Sequence, residues 1–232
     1  MSKKNILLYG SKSTAFIICE MLKENKKEAK YIFDPLSKSP SFKNNLIFSN
    51  KIIDFKKFLS KSKNFCVCIA REDGYARYMI SKKLEKFKLK PLTIKSKLSE
   101  LSKRSKYGKG LISMANAYVN RGVEIGDYCI LNTGATVDHE CIIGNGVHLM
   151  GGCYLAGRVK IGNFSSIGAT ATILPDIKIG ENVIVGAGAV VTKNVKSNTV
   201  VVGNPAKFLR NNFPKFNSKI FGKILNEKKQ KN

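Results

Sequence analysis

Between residues 119 and 196 an aliphatic residue returns at every sixth position. The series is Val119, Ile125, Leu131, Val137, Ile143, Leu149, Leu155, Ile161, Ile167, Ile173, Ile179, Val185 and Val191. The fifth position of each hexad is small or β-branched, as at Cys129, Ala135, Cys141, Val147, Cys153, Val159, Ser165 and Ala171. A strict short period kept this long is the signature of a solenoid. A second period lies inside the first: Ile-Gly stands at 125–126, 143–144, 161–162 and 179–180, spaced by eighteen. Three hexads therefore close one turn. The pattern predicts a three-sided parallel β-helix of about four turns, with the aliphatic residues inside the prism. Its stacked strands would lie roughly 4.8 Å apart. Spacing alone does not set its hand.

Upstream the pattern changes to alternating strands and helices. Residues 5–9 are an apolar run ending at Gly10, and residues 14–25 carry apolar residues at helical spacing. Residues 30–34 form a short strand ending in Asp34-Pro35, residues 65–70 a buried strand, and residues 74–87 a helix. This predicts a small open α/β domain of Rossmann-like type. Ligands of such a sheet sit at the carboxyl ends of its strands: at residues 10–14, Asp34 and residues 70–73. The loop Gly10-Ser11-Lys12-Ser13-Thr14 is neither a P-loop nor a GxGxxG fingerprint. It is an ordinary turn or, at a helix N-terminus, a seat for a phosphate or sugar.

Residues 82–109 are rich in Lys and Ser and read as a last strand (91–94) and a linker, with 112–118 an imperfect first coil. After Lys196 the hexads break, and Gly203-Asn204-Pro205-Ala206-Lys207 follows. In the tail, Phe213, Phe216, Ile220, Ile224 and Leu225 suggest a basic amphipathic helix. The expected organisation is an α/β domain with linker at 1–108, a β-helix at 109–210 and a basic extension at 211–232.

Composition narrows the function classes. No run of eighteen apolar residues exists in the 232-residue chain, so no membrane span is expected. The start reads as a first strand rather than a signal peptide. The six cysteines form no CxxC pair; they read as free structural thiols in a reducing cytoplasm, with no metal site. The formal charge of +25 suggests nucleic acid, but its distribution does not. Residues 111–200 hold six Lys/Arg and six Asp/Glu, so the excess is scattered lysine on either side of the repeat. No nucleic-acid motif accompanies it.

Both histidines lie in the repeat. His139 takes an outward third position, between Asp138 and Glu140. A carboxylate beside an imidazole fixes its tautomer and raises its basicity, as a general base requires; the alternative is a surface histidine in a mixed-charge loop. Eighteen residues on, directly above it, is Gly157. The third positions of the next wall, Thr133, Gly151, Ala169 and Ala187, are small throughout. Such a column either admits a thin ligand against exposed backbone or answers the sterics of tight corners. His148 stands at a sixth position leading to that wall.

The runs Ile130-Leu-Asn-Thr-Gly-Ala-Thr-Val-Asp-His139-Glu140-Cys-Ile-Ile-Gly144, Leu155-Ala-Gly157-Arg-Val-Lys-Ile-Gly162 and Val202-Gly-Asn-Pro-Ala-Lys207 resemble the left-handed β-helix, hexapeptide-repeat sugar acetyltransferases. Within them the chain is similar to the sialic acid O-acetyltransferases and the bacillosamine-type N-acetyltransferases of UDP-4-amino sugars. The resemblance implies an α/β domain holding a nucleotide sugar, a left-handed coil, and a bacterial homotrimer with active sites between subunits. It implies acetyl-CoA as co-substrate and surface polysaccharide biosynthesis as the setting. It carries the base onto His139 and its acidic partner onto Glu140. Acetyl-CoA contacts fall on His148, Gly157, Ala169 and Ala187, and the sugar nucleotide on Gly10, Ser11, Ser13, Asp34, Ala70 and Arg71. The chain departs from the family's pattern at Lys12, Ser13, Thr14, Pro35 and Arg71, which leaves the acceptor open. N-acetylation of a nucleotide-linked 4-amino-4,6-dideoxy sugar is the first expectation, O-acetylation of sialic acid or another sugar the second. A non-catalytic trimeric scaffold is the reading from a different class.

Overall fold

The computed structural model describes residues 5–70 and 73–213. They form two compact units. One comprises the chain through Ile69 together with Met79–Pro91; the other comprises Ala70–Tyr78 and the chain from Leu92 onward.

The first unit is a parallel five-stranded sheet with helices. Its elements are β1 (Ile6–Tyr9), α1 (Ser13–Glu24), β2 (Tyr31–Phe33), β3 (Ile47–Ser49), α2 (Ile52–Lys61), β4 (Asn64–Val67), the part of α3 (Gly74–Lys86) from Met79 onward, and β5 (Lys90–Pro91). The strand order is β3-β2-β1-β4-β5. The order reverses between β1 and β4, which makes the carboxyl ends of these two strands the switch-point crevice of a Rossmann-like sheet. Both strands are near-continuous apolar runs because both faces are covered: Leu7, Leu8 and Phe65 are almost fully buried. β3 and α2 were not anticipated. β3 is three residues long and buries only Ser49, so it has no apolar period to read. α2 turns Phe55 and Phe58 inward, where Phe55 stacks on Phe33 (ring centroids 4.2 Å apart) and Phe58 on Tyr31 (4.7 Å).

The second unit is the three-sided coil. Its strands are two residues each through Val190–Val191, and its faces hold 6, 5 and 8 strands. Every first position from Val119 to Val191 is buried, as are the fifth positions from Cys129 to Ala189. Backbone amides of one turn donate to carbonyls of the next, as Ile130 to Val147 and His148 to Ser165 (both 3.0 Å).

The coil begins earlier than expected. Ile94–Lys95 already pairs with Ile112–Ser113, so residues 92–108 are coil rather than linker and the stack is taller than four turns. The predicted strand at 91–94 divides between β5 and the first coil. The repeat is hidden there because the first positions are Lys95, Leu101, Tyr107 and Ser113. Only one of them is aliphatic, and Tyr107 is 41% exposed. An end turn covers the prism instead of filling it, and its inward residues are freed from the rule.

The corners explain the remaining periods. The fourth position of each hexad is left-handed, with φ between 53° and 73° from Gly110 to Gly188, whether it is Gly or not. The eighteen-residue Ile-Gly period belongs to one corner. A Cβ on Gly126 would lie 2.8 Å from Asn145 N, and one on Gly144 would lie 2.7 Å from Asn163 N. Asp127, Asn145 and Asn163 form a ladder there: Lys109 N donates to Asp127 Oδ1, Asp127 N to Asn145 Oδ1 and Asn145 N to Asn163 Oδ1. The glycine leaves room for that ladder. At the far end Thr199–Val202 pairs with Ile184–Val185 at a separation of sixteen residues, then turns into an antiparallel strand, Lys207–Asn211. That strand runs one residue past the expected end of the coil. The amphipathic helix expected in the tail falls, beyond residue 213, outside the described residues.

Two outcomes follow from this packing. Leu149→Ala removes a fully buried rung and is expected to cost about 2–5 kcal/mol in chemical unfolding. All six cysteines are free, and burial pushes the Cys129 and Cys153 thiols up to about 12 and Cys141 to about 11. Their thiolates are therefore scarce at pH 8. A disulfide reagent at that pH should react slowly with half-buried Cys19 and reach the coil thiols only after denaturant is added.

Candidate active site

His139 and Glu140 occupy a corner of the coil, between the strands Thr136–Val137 and Ile142–Ile143. The inward residues Val137 and Cys141 pin the backbone on either side, so the third and fourth positions must project outward. Glu140 holds a left-handed conformation (φ 59°) where the neighbouring corners use Gly134 and Gly146. Its Oε2 lies 3.2 Å from His139 Nδ1. The other ring nitrogen, Nε2, faces up the coil. A Cβ on Gly157 would lie 2.5 Å from it, so glycine there is what leaves space for the imidazole.

Asp138, beside His139 in the same turn, holds the corner. Its Oδ1 accepts the His139 N–H (2.7 Å) and Asn120 Nδ2 (2.9 Å), and its Oδ2 accepts the Tyr154 hydroxyl (3.2 Å). The His139 amide and then the Asn120 amide hold the Asp138 carboxyl below the usual carboxylate range. Asn120 and Asn132 similarly cap the amides of Arg121 and Thr133. At Gly157 the preceding residue is Ala156, which has no such acceptor, and among the described residues no hydrogen bond takes the Gly157 N–H. A free backbone donor thus sits one turn above the imidazole.

Below His139 a cleft of about 580 Å³ opens. Arg104, Asn120, Arg121, Gly122, His139 and Glu140 line it. Four of these residues, Arg104, Asn120, Arg121 and Gly122, were not singled out from the sequence. Arg121 and Asn120 stand eighteen residues before His139 and Asp138, so the rule that found Gly157 finds them when counted downward. Arg104 needed the first coil, which the apolar pattern does not show. Above the corner, Arg158 Nε and Nη2 bind Asp176 Oδ1 and Oδ2 at 2.7 and 2.8 Å, so this guanidinium is committed.

The other expected residues fall elsewhere. Ala169 and Ala187 stack with Thr133 and Gly151 on the adjacent corner, and the amides of Thr170 and Gly188 continue the turn-to-turn ladder there. His148 is in a strand, His148–Leu149, on a different face from His139, and it is only 3% exposed. A sixth position thus lies in the sheet rather than at the corner expected for His148. Gly74–Tyr78 packs on the neighbouring corner of the coil, with Tyr75 against Phe164 and Tyr78 against Tyr128. The fully buried Arg77 donates from Nε to Tyr128 O and from Nη2 to Gly146 O, each at 2.8 Å.

In the α/β unit Gly10 ends β1 with φ 100°, a conformation that favours glycine. Ser11 and Asp34 do come together: the Ser11 amide and hydroxyl both donate to Asp34 Oδ2, at 2.9 and 2.7 Å, and Leu36 N donates to Oδ1 at 2.9 Å. Both residues are buried. They clamp the first two strand ends to each other at the floor of the crevice. Ser13 opens α1 and is exposed, Ala70 is half-buried, and Arg71 lies outside the described residues. Among the described residues no His, Cys, Asp or Glu cluster could hold a metal, and no helix is long and apolar enough to cross a membrane.

Comparison with known proteins agrees with this geometry. The model "Bacterial transferase hexapeptide (six repeats)" matches residues 140–174 and 158–193, and "Hexapeptide repeat of succinyl-transferase" matches residues 115–139. A variant of perosamine N-acetyltransferase from Caulobacter crescentus, in complex with CoA and GDP-perosamine, superposes with a TM-score of 0.79. It is 25% identical, and the match covers 89% of this chain and 97% of that one. The chain has the two-part, left-handed β-helix fold of the hexapeptide-repeat sugar acetyltransferases. The acetyltransferase domain of PglB from Neisseria gonorrhoeae, in complex with acetyl coenzyme A, shares this fold with a TM-score of 0.80 at 24% identity, over 90% of this chain and 100% of that one. Serine acetyltransferase 2 of Arabidopsis thaliana is 35% identical over 102 residues, 40% of this chain. The chain spans about a third of the length of the curated serine acetyltransferases it matches.

Two substitutions test the corner. Gly157→Ala should displace the His139 ring, seen as shifted imidazole resonances, while thermal unfolding moves little because the ring is the side chain that yields. Glu140→Gly removes a non-glycine left-handed residue and should raise stability by about 1 kcal/mol in denaturant unfolding.

Proposed function

We propose that this hexapeptide-repeat protein transfers an acetyl group from acetyl-CoA to a sugar, in a single step without an acyl-enzyme. The observation that carries the reading is the stack of three groups at one corner: Glu140 against His139 Nδ1, and the uncommitted Gly157 amide above Nε2. Glu140 orients the imidazole and supports the charge it gains. His139 takes the proton of the acceptor amine or hydroxyl as that atom attacks the thioester carbonyl. The Gly157 N–H faces the oxygen on which charge develops, and such a preorganised donor stabilises the tetrahedral intermediate. The thiolate of CoA leaves and regains a proton.

The acceptor is the 4-amino group of a nucleotide-linked 4-amino-4,6-dideoxy sugar, a class supported by the GDP-perosamine complex of the similar enzyme. Its nucleotide lies at the carboxyl ends of β1 and β4, near Gly10, Ser13 and Ala70, and the cofactor runs along the small column at Ala169 and Ala187. The chain works as a homotrimer in the bacterial cytoplasm, where acetyl-CoA is supplied and the cysteines stay reduced.

Release of CoA thiol from acetyl-CoA, measured across UDP-, GDP- and dTDP-linked 4-amino sugars, sialic acid and CMP-sialic acid, tests the reading. One amino sugar should support turnover, and His139→Ala should lower it by about 10²–10⁴-fold with the fold intact. Glu140→Gly should lower turnover while leaving the protein at least as stable. Turnover retained in His139→Ala would overturn the assignment of the base. Turnover with a sialic acid alone would keep the chemistry and change the acceptor.

A further inference from the structure

The cleft below His139 contains two guanidinium groups with nothing to neutralise them. Arg104 and Arg121 line it beside Glu140. Among the described residues neither side chain makes a hydrogen bond or ion pair, and Glu140 is already engaged by His139. The contrast lies one turn up, where Arg158 at the same kind of corner is locked bidentately to Asp176. The neutral partners that could have quenched the pair are also occupied: Asn120 gives its amide to Asp138 and its carbonyl to the Arg121 backbone. The backbones of both arginines are fixed by the coil, since Arg104 O accepts Gly122 N (3.2 Å) and Arg121 O accepts Glu140 N (3.1 Å). Two arginines against the single carboxylate of Glu140, with His139 beside them, leave the cleft positive, and its volume of about 580 Å³ is that of a small-molecule site.

We infer that Arg104 and Arg121 form an anion subsite for the acceptor, binding a phosphate or carboxylate carried by the sugar so that its nucleophile meets His139. This rests on the acetyl-transfer reading above and adds to it a required charge on the acceptor close to the reacting atom. Two planar forks, on side chains from successive turns, suit the bidentate recognition of an oxyanion. The anion has two sources: the diphosphate of a nucleotide-linked sugar, or the carboxylate of an acidic sugar. A neutral sugar satisfies neither arginine. The subsite does not act on the proton in flight, so its effect belongs in acceptor binding rather than in the chemical step.

The experiment is steady-state thiol release by the full chain and by Arg104→Gln, Arg121→Gln and Arg121→Lys. The acceptors are a nucleotide-linked amino sugar, the same amino sugar without its nucleotide, and sialic acid. Each arginine-to-glutamine change should raise KM for the anionic acceptor about 10-fold, the loss of one charge-assisted contact. In these variants kcat should stay within a few-fold and KM for acetyl-CoA should not move. The preference for charged over neutral acceptor should fall in proportion, and Arg121→Lys should restore part of it. Preference for the nucleotide-linked form identifies the diphosphate, and preference for sialic acid the carboxylate. Unchanged acceptor KM in both glutamine variants, with the wild type active, would overturn the subsite alone. A rise in KM for acetyl-CoA instead would assign the arginines to the cofactor and equally overturn it. A wild type silent with every acceptor would remove the acetyl-transfer reading and the subsite with it.

Discussion

Everything in the coil depends on one constraint: each turn must repeat the backbone path of the turn before it after eighteen residues. The amides of one turn donate to the carbonyls of the next, and unpaired groups in a buried ladder are costly. Within the body of the coil a turn one residue longer or shorter would throw the following strands out of register; the shorter sixteen-residue step occurs at its far end, where Val200 pairs with Ile184. The left-handed fourth position is what bends the chain sharply enough at each corner to hold that length. Side chains of both kinds follow. Inward positions fill a prism too narrow for anything but aliphatic and small residues, and outward positions stack into columns.

The candidate site is a product of those columns. A coil places groups in contact at separations of eighteen, with the rigidity of the hydrogen-bonded frame. His139 over Arg121 and under Gly157 is one column; Glu140 over Gly122 and under Arg158 is its neighbour. Chemistry is built by choosing what stands at a corner, because the core beneath is indifferent to outward residues. The cost falls on Glu140, a charged residue in a conformation where glycine serves next door. The Asp138 network, with Asn120 one turn down and Tyr154 one turn up, steadies the corner from two other turns.

The α/β unit obeys a different rule. Its crevice arises where the strand order reverses between β1 and β4, and it needs no repeat. The Ser11–Asp34 pair shows how such a crevice is held: a buried carboxylate is stable only with donors, and the first loop supplies two of them.

Much of this was legible in the sequence, because periodicity is a direct imprint of the ladder. The three-sided coil, its inward residues, the open α/β sheet and the His139–Glu140 corner all follow from spacing, and the hand followed only through resemblance to a family. The first coil was hidden because an end turn need not fill the prism, so Lys95, Tyr107 and Ser113 break the aliphatic series. β3 and α2 escaped because a three-residue strand has no period. Tertiary structure alone decided which polar residues are spent and which are free. It paired Ser11 with Asp34, buried His148, tied Arg158 to Asp176 and left Arg104 and Arg121 open beneath His139. The physical reason is that a residue's column is written in its number, whereas its partner depends on where long side chains reach across turns.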